Sequence, residues 1–100
     1  MRYILGIDQS TQGTKAVLFD ETGRVAAEGR RKHRQIITAE GYIEHDPAEI
    51  MTQTAAAVRD ALESGGIAPG SVLAIGLCDQ RETVVTWDRR TGKPLTNAVV

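Results

Sequence analysis

Apolar side chains in this chain gather into short runs separated by turn-forming residues. Tyr3 to Ile7 and Ala16 to Phe19 flank the polar stretch Asp8-Gln9-Ser10-Thr11-Gln12-Gly13-Thr14-Lys15. This pattern predicts two strands, Arg2 to Asp8 and Lys15 to Asp20, joined as a β-hairpin. Asp20-Glu21-Thr22-Gly23 then turns the chain, with a glycine available for positive φ, into a third strand from Arg24 to about Lys32. There Val25, Ala27 and Gly29 alternate with Arg24, Ala26, Glu28 and Arg30, so one face is apolar and the other solvated, as expected of an edge strand. Residues 33 to 45 are polar and predict a loop.

Helical periodicity appears once. Asp46-Pro47-Ala48-Glu49 supplies an N-cap, a proline at the first helical position and a carboxylate where a capping box would place it. Ile50, Thr54, Ala57, Val58, Ala61 and Leu62 form one stripe of a helix over about 47 to 64, and Gly65-Gly66 ends it. Pro69-Gly70 leads into Val72-Leu73-Ala74-Ile75-Gly76-Leu77-Cys78, whose unbroken apolar run predicts a buried central strand. Thr83 to Trp87 predicts a fifth strand, followed by the turn Asp88-Arg89-Arg90-Thr91-Gly92-Lys93, which loosely echoes the Asp20 turn. The predicted order is β-β-β-α-β-β. One helix covers only part of such a sheet, and Asn97-Ala98-Val99-Val100 stops on an apolar rise, so the chain reads as a fragment.

The first hairpin turn carries the most chemistry. A carboxylate at its start, hydroxyls, a glycine and a lysine present backbone N–H groups, hydroxyls and an ammonium to an anion, and Asp8 can hold a hydrated divalent cation beside it. No G-x-x-x-x-G-K-[ST] or G-x-G-x-x-G occurs, and Lys15 opens a strand where a P-loop lysine would open a helix. Taken by itself the segment fits either a nucleotide phosphate site or an ordinary polar turn, because the same residues dominate turns for conformational reasons.

Length and charge narrow the classes. One hundred residues make one small domain, and 12 basic against 13 acidic side chains, a net charge of -1, leave no global electrostatic case for nucleic acid or an anionic membrane. No apolar run approaches the roughly 18 residues of a bilayer span. The lone Cys78 rules out an internal disulfide framework and suits a reducing cytoplasm. Arg30-Arg31-Lys32-His33-Arg34 reads as a solvated strand end, since no aromatics interleave it. His33 and His45 lack partners at metal-ligand spacing, and His45 is expected to order the loop before the helix. Cys78 is expected to be a small core residue, and Trp87 and Tyr42 fit either core or cleft.

A second constellation, Asp79-Gln80-Arg81-Glu82-Thr83, falls between the fourth and fifth predicted strands, where such a sheet delivers residues to a ligand. Arg81 can donate and Glu82 accept, together clamping vicinal hydroxyls; a surface ion pair is the plainer alternative. Asp8-Gln9-Ser10-Thr11, Tyr42-Ile43-Glu44-His45-Asp46-Pro47, Asp79-Gln80-Arg81-Glu82-Thr83 and Thr91-Gly92-Lys93-Pro94 stand in the order and spacing of the N-terminus of FGGY carbohydrate kinases. The chain resembles that family throughout, and most of all its glycerol-phosphorylating members.

The resemblance implies an α/β fold, part of an actin-like (ribonuclease H-like) ATPase domain with a mixed sheet, residues 1–100 being the N-terminal portion of the first domain and the second domain lying outside the chain. It implies ATP and Mg2+ as cofactors, with Thr11, Gln12, Gly13 and Lys15 around the ATP phosphates, Asp8 near the metal, and Arg81 and Glu82 on the substrate. The activity implied is phosphorylation of a hydroxyl of glycerol or a related small polyol or sugar, by a cytoplasmic homo-oligomer with its general base downstream of residue 100. This stretch alone is then expected to be inactive. A kinase for a pentose or longer polyol keeps the fold, and a non-catalytic nucleotide-binding module of the same fold is the alternative of another class. The chain departs from the glycerol-type pattern Gly-Thr-Thr-Ser-Ser-Arg with Ser10-Thr11-Gln12-Gly13-Thr14-Lys15, and has Asp79 where Asn is usual.

Overall fold

The computed structural model describes residues 1–100. Strands β1 (Tyr3–Gln9), β2 (Gly13–Phe19) and β3 (Val25–Lys32) follow as a meander, then two short strands, β4 (Ile36–Ile37) and β5 (Ile43–His45), precede helix α1 (Pro47–Gly65). A turn of 3-10 helix, Pro69–Ser71, leads to β6 (Val72–Cys78), and β7 (Ala98–Val99) comes last. The main sheet has the order β3-β2-β1-β6, with β1 antiparallel to β2, β2 antiparallel to β3 and β6 parallel to β1. A smaller sheet has the order β4-β5-β7.

Helix α1 begins where its sequence says it should. Asp46 accepts from the Ala48 N–H at 2.9 Å, and Pro47 occupies the first turn, where a missing N–H costs nothing. Glu49 does not close a capping box; its carboxylate instead receives Arg34 Nε at 2.7 Å, tying the helix start to the chain after β3. Gly66 takes the left-handed conformation at φ 61°, and the Ile67 N–H returns to the Leu62 carbonyl at 2.9 Å.

The core lies between α1 and one face of β1 to β3. Leu5, Ala16, Leu18 and Ala27 meet Ala57, Ala61 and Ile67 there, and alternation along β2 puts Thr14, Ala16 and Leu18 inward. Small residues set the spacing: a Cβ on Gly29 would collide with the Ala57 carbonyl oxygen and come within 2.8 Å of the Ala61 nitrogen. Backbone therefore packs on backbone at this crossing.

Several expectations need correction. Leu73, Ile75 and Leu77 are 60% or more exposed, so β6 is an uncovered edge within these residues; α1 lies over β2 and β3 and leaves it bare. Cys78 at its end is exposed for the same reason. Thr83 to Trp87 forms no strand, making only an isolated bridge between Trp87 and Pro94. Residues 33 to 45 hold β4 and β5 within the expected loop, because β5 finds a partner in β7. His33 is buried, not solvated, and packs edge-to-face on His45 with ring centroids 4.2 Å apart. The turn echo has a common physical basis, since Asp20 and Asp88 each accept from N–H groups two residues on, at 2.8 and 2.7 Å. No helix is long and apolar enough to cross a membrane.

Candidate functional site

Parallel pairing of β1 with β6 brings two loops to one edge of the sheet. Asp8 pairs in register with Cys78, so the turn after β1 (residues 10–12) lies beside the loop after β6 (residues 79–83). Clefts outside the carboxyl ends of parallel strands are where sheets of this kind bind ligands.

The first turn is shaped by its carbonyl groups. Ser10 N donates to the Gly13 carbonyl at 2.8 Å and Ser10 Oγ to the same oxygen at 3.0 Å, closing the hairpin. Gly13 is required by close approach, for a Cβ there would overlap the Arg31 carbonyl and lie 3.1 Å from Lys32 Cα. The Ser10 carbonyl accepts from Gln9 Nε2 and the Thr11 carbonyl from Gln35 Nε2, each at 2.8 Å. All peptides are trans, so the N–H that shares a peptide plane with each carbonyl points the opposite way. The Thr11 and Gln12 N–H groups thus face away from the two amides, and neither donates to any acceptor in the chain. Two unpaired N–H donors in successive residues are the kind of group that can receive an anion.

Register decides what surrounds that turn. Lys15 lies opposite Asp8 on β1 and opposite Arg30 on β3, while Gly13 lies opposite Lys32. Asp8, Lys15, Arg30 and Lys32 share the sheet face turned away from α1. Arg31 points to the helix side and is held by Asp60 through bonds of 2.7 and 3.2 Å, which keep that carboxyl below the usual Asp range. Lys15 Nζ sits 3.3 Å from Glu28, a partly exposed contact that leaves the ammonium accessible. A groove of about 380 Å3 runs over Gln12, Gly13 and Lys15 between Asp8 and the β3 cations.

A second groove, about 520 Å3, lies on the other side of Asp8. Arg81 and Glu82 line it with Asp79 and Thr11, and the two grooves share Asp8 and Ser10. Arg81 and Glu82 are exposed and form no ion pair with each other or with any neighbour, so the plain surface ion pair is not what the structure contains. Glu82 has φ 63°, the left-handed region that residues other than glycine seldom occupy. Asp8 is likewise exposed, its carboxylate without a hydrogen-bonded or ionic partner in the chain.

All seven residues singled out from sequence therefore meet at one edge: Asp8 at the centre, Gln12, Gly13 and Lys15 on one side, Arg81 and Glu82 on the other, with Thr11 in the turn between. Sequence reasoning missed Gln9, Gln35 and Gln80, whose amides brace the loops, and the β3 cations Arg30 and Lys32. The basic run was visible, but its position over the groove depends on the β2–β3 register. Nothing local marks the glutamines. His45, fully buried, bonds Gln35 through Nε2 at 2.8 Å, and burial with the neighbouring His33 holds its pKa below the ordinary value. No three His, Cys, Asp or Glu side chains converge as a metal cage. Tyr42 and Trp87 are both exposed, Trp87 over an apolar groove beside Pro47 and Met51.

A mixed sheet in which the β1–β2 turn and the loop after β6 meet at one edge is the architecture of a sugar-kinase type of domain with the actin-like ATPase fold. Residues 3–100 match the N-terminal domain of the FGGY family of carbohydrate kinases, and the chain belongs to that family. Among its relatives, the glycerol kinase of Methylobacterium radiotolerans is 48% identical over 99 residues, which are 99% of this chain and 20% of that protein. The chain thus spans about a fifth of the length of the curated relatives it matches. The crystal structure of Plasmodium falciparum glycerol kinase with ADP superposes with a TM-score of 0.84 at 43% identity, over all of this chain and 20% of that one. Xylulose kinase from Lactobacillus acidophilus, with ligand bound, gives 0.87 at 27% identity over the same shares.

Proposed function

We propose that this chain is the N-terminal portion of the first domain of an ATP-dependent kinase that phosphorylates a hydroxyl of glycerol or a related small polyol. The observation that carries the reading is the meeting of two chemically different grooves at Asp8 and Ser10. One offers Gln12 and cations to phosphate; the other offers an unpaired guanidinium and carboxylate to hydroxyls, with Thr11 in the turn between them. The names of the relatives, glycerol kinases at 43 to 49% identity, support glycerol over the xylulose and gluconate substrates of structural neighbours at 27%.

In this reading the Thr11 and Gln12 N–H groups and Lys15 hold the ATP phosphates, with Gly13 letting the backbone come close. Arg81 donates to one substrate hydroxyl and Glu82 accepts from its neighbour, which fixes the acceptor oxygen near the γ-phosphoryl group. Asp8 fits Mg2+: a single free carboxylate beside a phosphate groove suits an ion that keeps waters and shares its ligands with a nucleotide. The ion would supply neutralisation of phosphate charge. The general base belongs to sequence after residue 100. A cytoplasmic location, which the lone exposed Cys78 suits, and self-association of the full-length protein complete the reading.

A phosphorylation screen of the full-length protein with ATP and Mg2+ across polyols and sugars tests it. Turnover with glycerol or another short polyol is expected. Turnover confined to pentoses would move the substrate, and nucleotide binding without transfer to any acceptor would refute the kinase reading.

A further inference from the structure

The two loops of the site are joined by a partly buried amide bridge. Gln80 Nε2 donates to Gln9 Oε1 at 3.0 Å, linking side chains 71 positions apart in sequence. Gln9 Nε2 in turn donates to the Ser10 carbonyl at 2.8 Å, and Thr83 Oγ1 donates to Gln80 Oε1 at 3.0 Å. Every donor points the same way, from the loop after β6 to the turn after β1, and a chain of aligned amides of this kind is mutually reinforcing. Gln9 is only 8% exposed, so its amide has little recourse to solvent if the bridge is lost.

The same amide shapes the substrate loop. Thr83 and Gln80 close a clasp around Arg81 and Glu82, and within it Glu82 is held at φ 63°. Strained backbone persists where surrounding contacts hold it, and here the bond that spans Glu82 is the one from Thr83 to Gln80.

We propose that Gln80 is a positioning residue: acting through Gln9, it sets the hydroxyl-clamping pair Arg81 and Glu82 at a fixed place relative to the phosphate turn. This rests on the kinase reading above. Gln80 lines the second groove, but its amide nitrogen and oxygen are engaged by Gln9 and Thr83, so its main effect is on whether the clamped hydroxyl faces the phosphoryl group. Misplacement of reacting groups by an ångström costs about 100-fold in rate.

The test measures polyol-dependent ADP release by the full-length protein in wild type, Gln80→Ala, Gln80→Glu, Gln9→Ala and the Gln9→Ala/Gln80→Ala double variant, with ATP affinity titrated separately. Gln80→Ala should lower kcat roughly 10- to 100-fold with ATP affinity within about twofold of wild type. The isosteric Gln80→Glu keeps an acceptor for Thr83 but turns a carboxylate oxygen toward the Gln9 oxygen, so kcat should fall while the polyol KM stays near wild type. Because both glutamines act through one bridge, the double variant should be no slower than the worse single variant. The inference is overturned by near-normal kcat in both Gln80 variants, by losses that multiply in the double variant, or by ATP affinity falling in step with kcat. If Gln80→Ala does not fold, Gln80→Glu decides. A wild type that phosphorylates no acceptor overturns the kinase reading and this inference together; an active wild type with silent Gln80 variants overturns the inference alone.

Discussion

Replacing Arg81 with alanine isolates substrate binding from folding, because the arginine is exposed and bonds to no other part of the chain. Its removal strands no buried partner and opens no cavity, so protein stability should change by less than about 0.5 kcal/mol. On the proposed reading, what is lost is a charged hydrogen bond to a polyol hydroxyl, worth about 1.5–3 kcal/mol. At about 1.4 kcal/mol per factor of ten, that is roughly a 10- to 150-fold rise in polyol KM. Gln12, Gly13 and Lys15 stand on the other side of Asp8, so the KM for ATP should stay within about twofold. Arg81→Lys keeps the charge and loses the planar fork, and should fall between the two. Steady-state kinetics of the full-length protein, with each substrate varied at saturation of the other, give both constants, and thermal melts check the fold. An unchanged polyol KM would remove Arg81 from the substrate site. Equal losses for polyol and ATP would show that the two grooves are not separable as drawn.

Asp8→Asn should reduce kcat by about 100-fold or more at saturating Mg2+, the scale of losing an electrostatic group at a phosphoryl-transfer centre, and near-normal turnover would exclude it. Gly29→Ala forces a methyl into the α1 backbone at Ala57 and Ala61 and should cost about 2 kcal/mol or more, read as a lower denaturation midpoint. Gly70→Ala, where a Cβ meets open space, is its control and should leave the midpoint close to wild type. For pH, burial and the neighbouring His33 depress the pKa of His45, so the folded state keeps it neutral while the unfolded chain takes up a proton below about pH 6.5. That stability is present above pH 6.5 and lost as pH falls from there through the lower folded-state value; melts at pH 7.5 and 5.5 should show it, and His45→Gln should flatten the slope. Residues 1–100 expressed alone should self-associate and show no polyol-dependent ATP consumption, because β6 presents Leu73, Ile75 and Leu77 to solvent; light scattering and a coupled ADP assay check both.

Local chemistry in the sequence determined the elements whose causes are local. Asp46, Pro47 and Gly66 mark the ends of α1 because capping depends on a few adjacent residues, and alternation marks β1 to β3 because one face of each strand must be wet. The side chains of the two grooves were legible for a related reason: they fall in two short polar stretches, Asp8 to Lys15 and Asp79 to Thr83, each directly after an apolar run. Thr83 to Trp87 shows the limit, since β propensity describes a surface that fits a sheet and forms a strand only where a partner is at hand. β6 shows it again, because an apolar run records a need for cover without saying what provides it. Only the tertiary structure decided that Arg30 and Lys32 flank the β1–β2 turn, that His33 lies buried against His45, and that Gln80 reaches Gln9 across the sheet. Those relations follow from strand register and from the parallel pairing of β1 with β6, and pairing between distant segments leaves no periodic trace in the residues that it brings together.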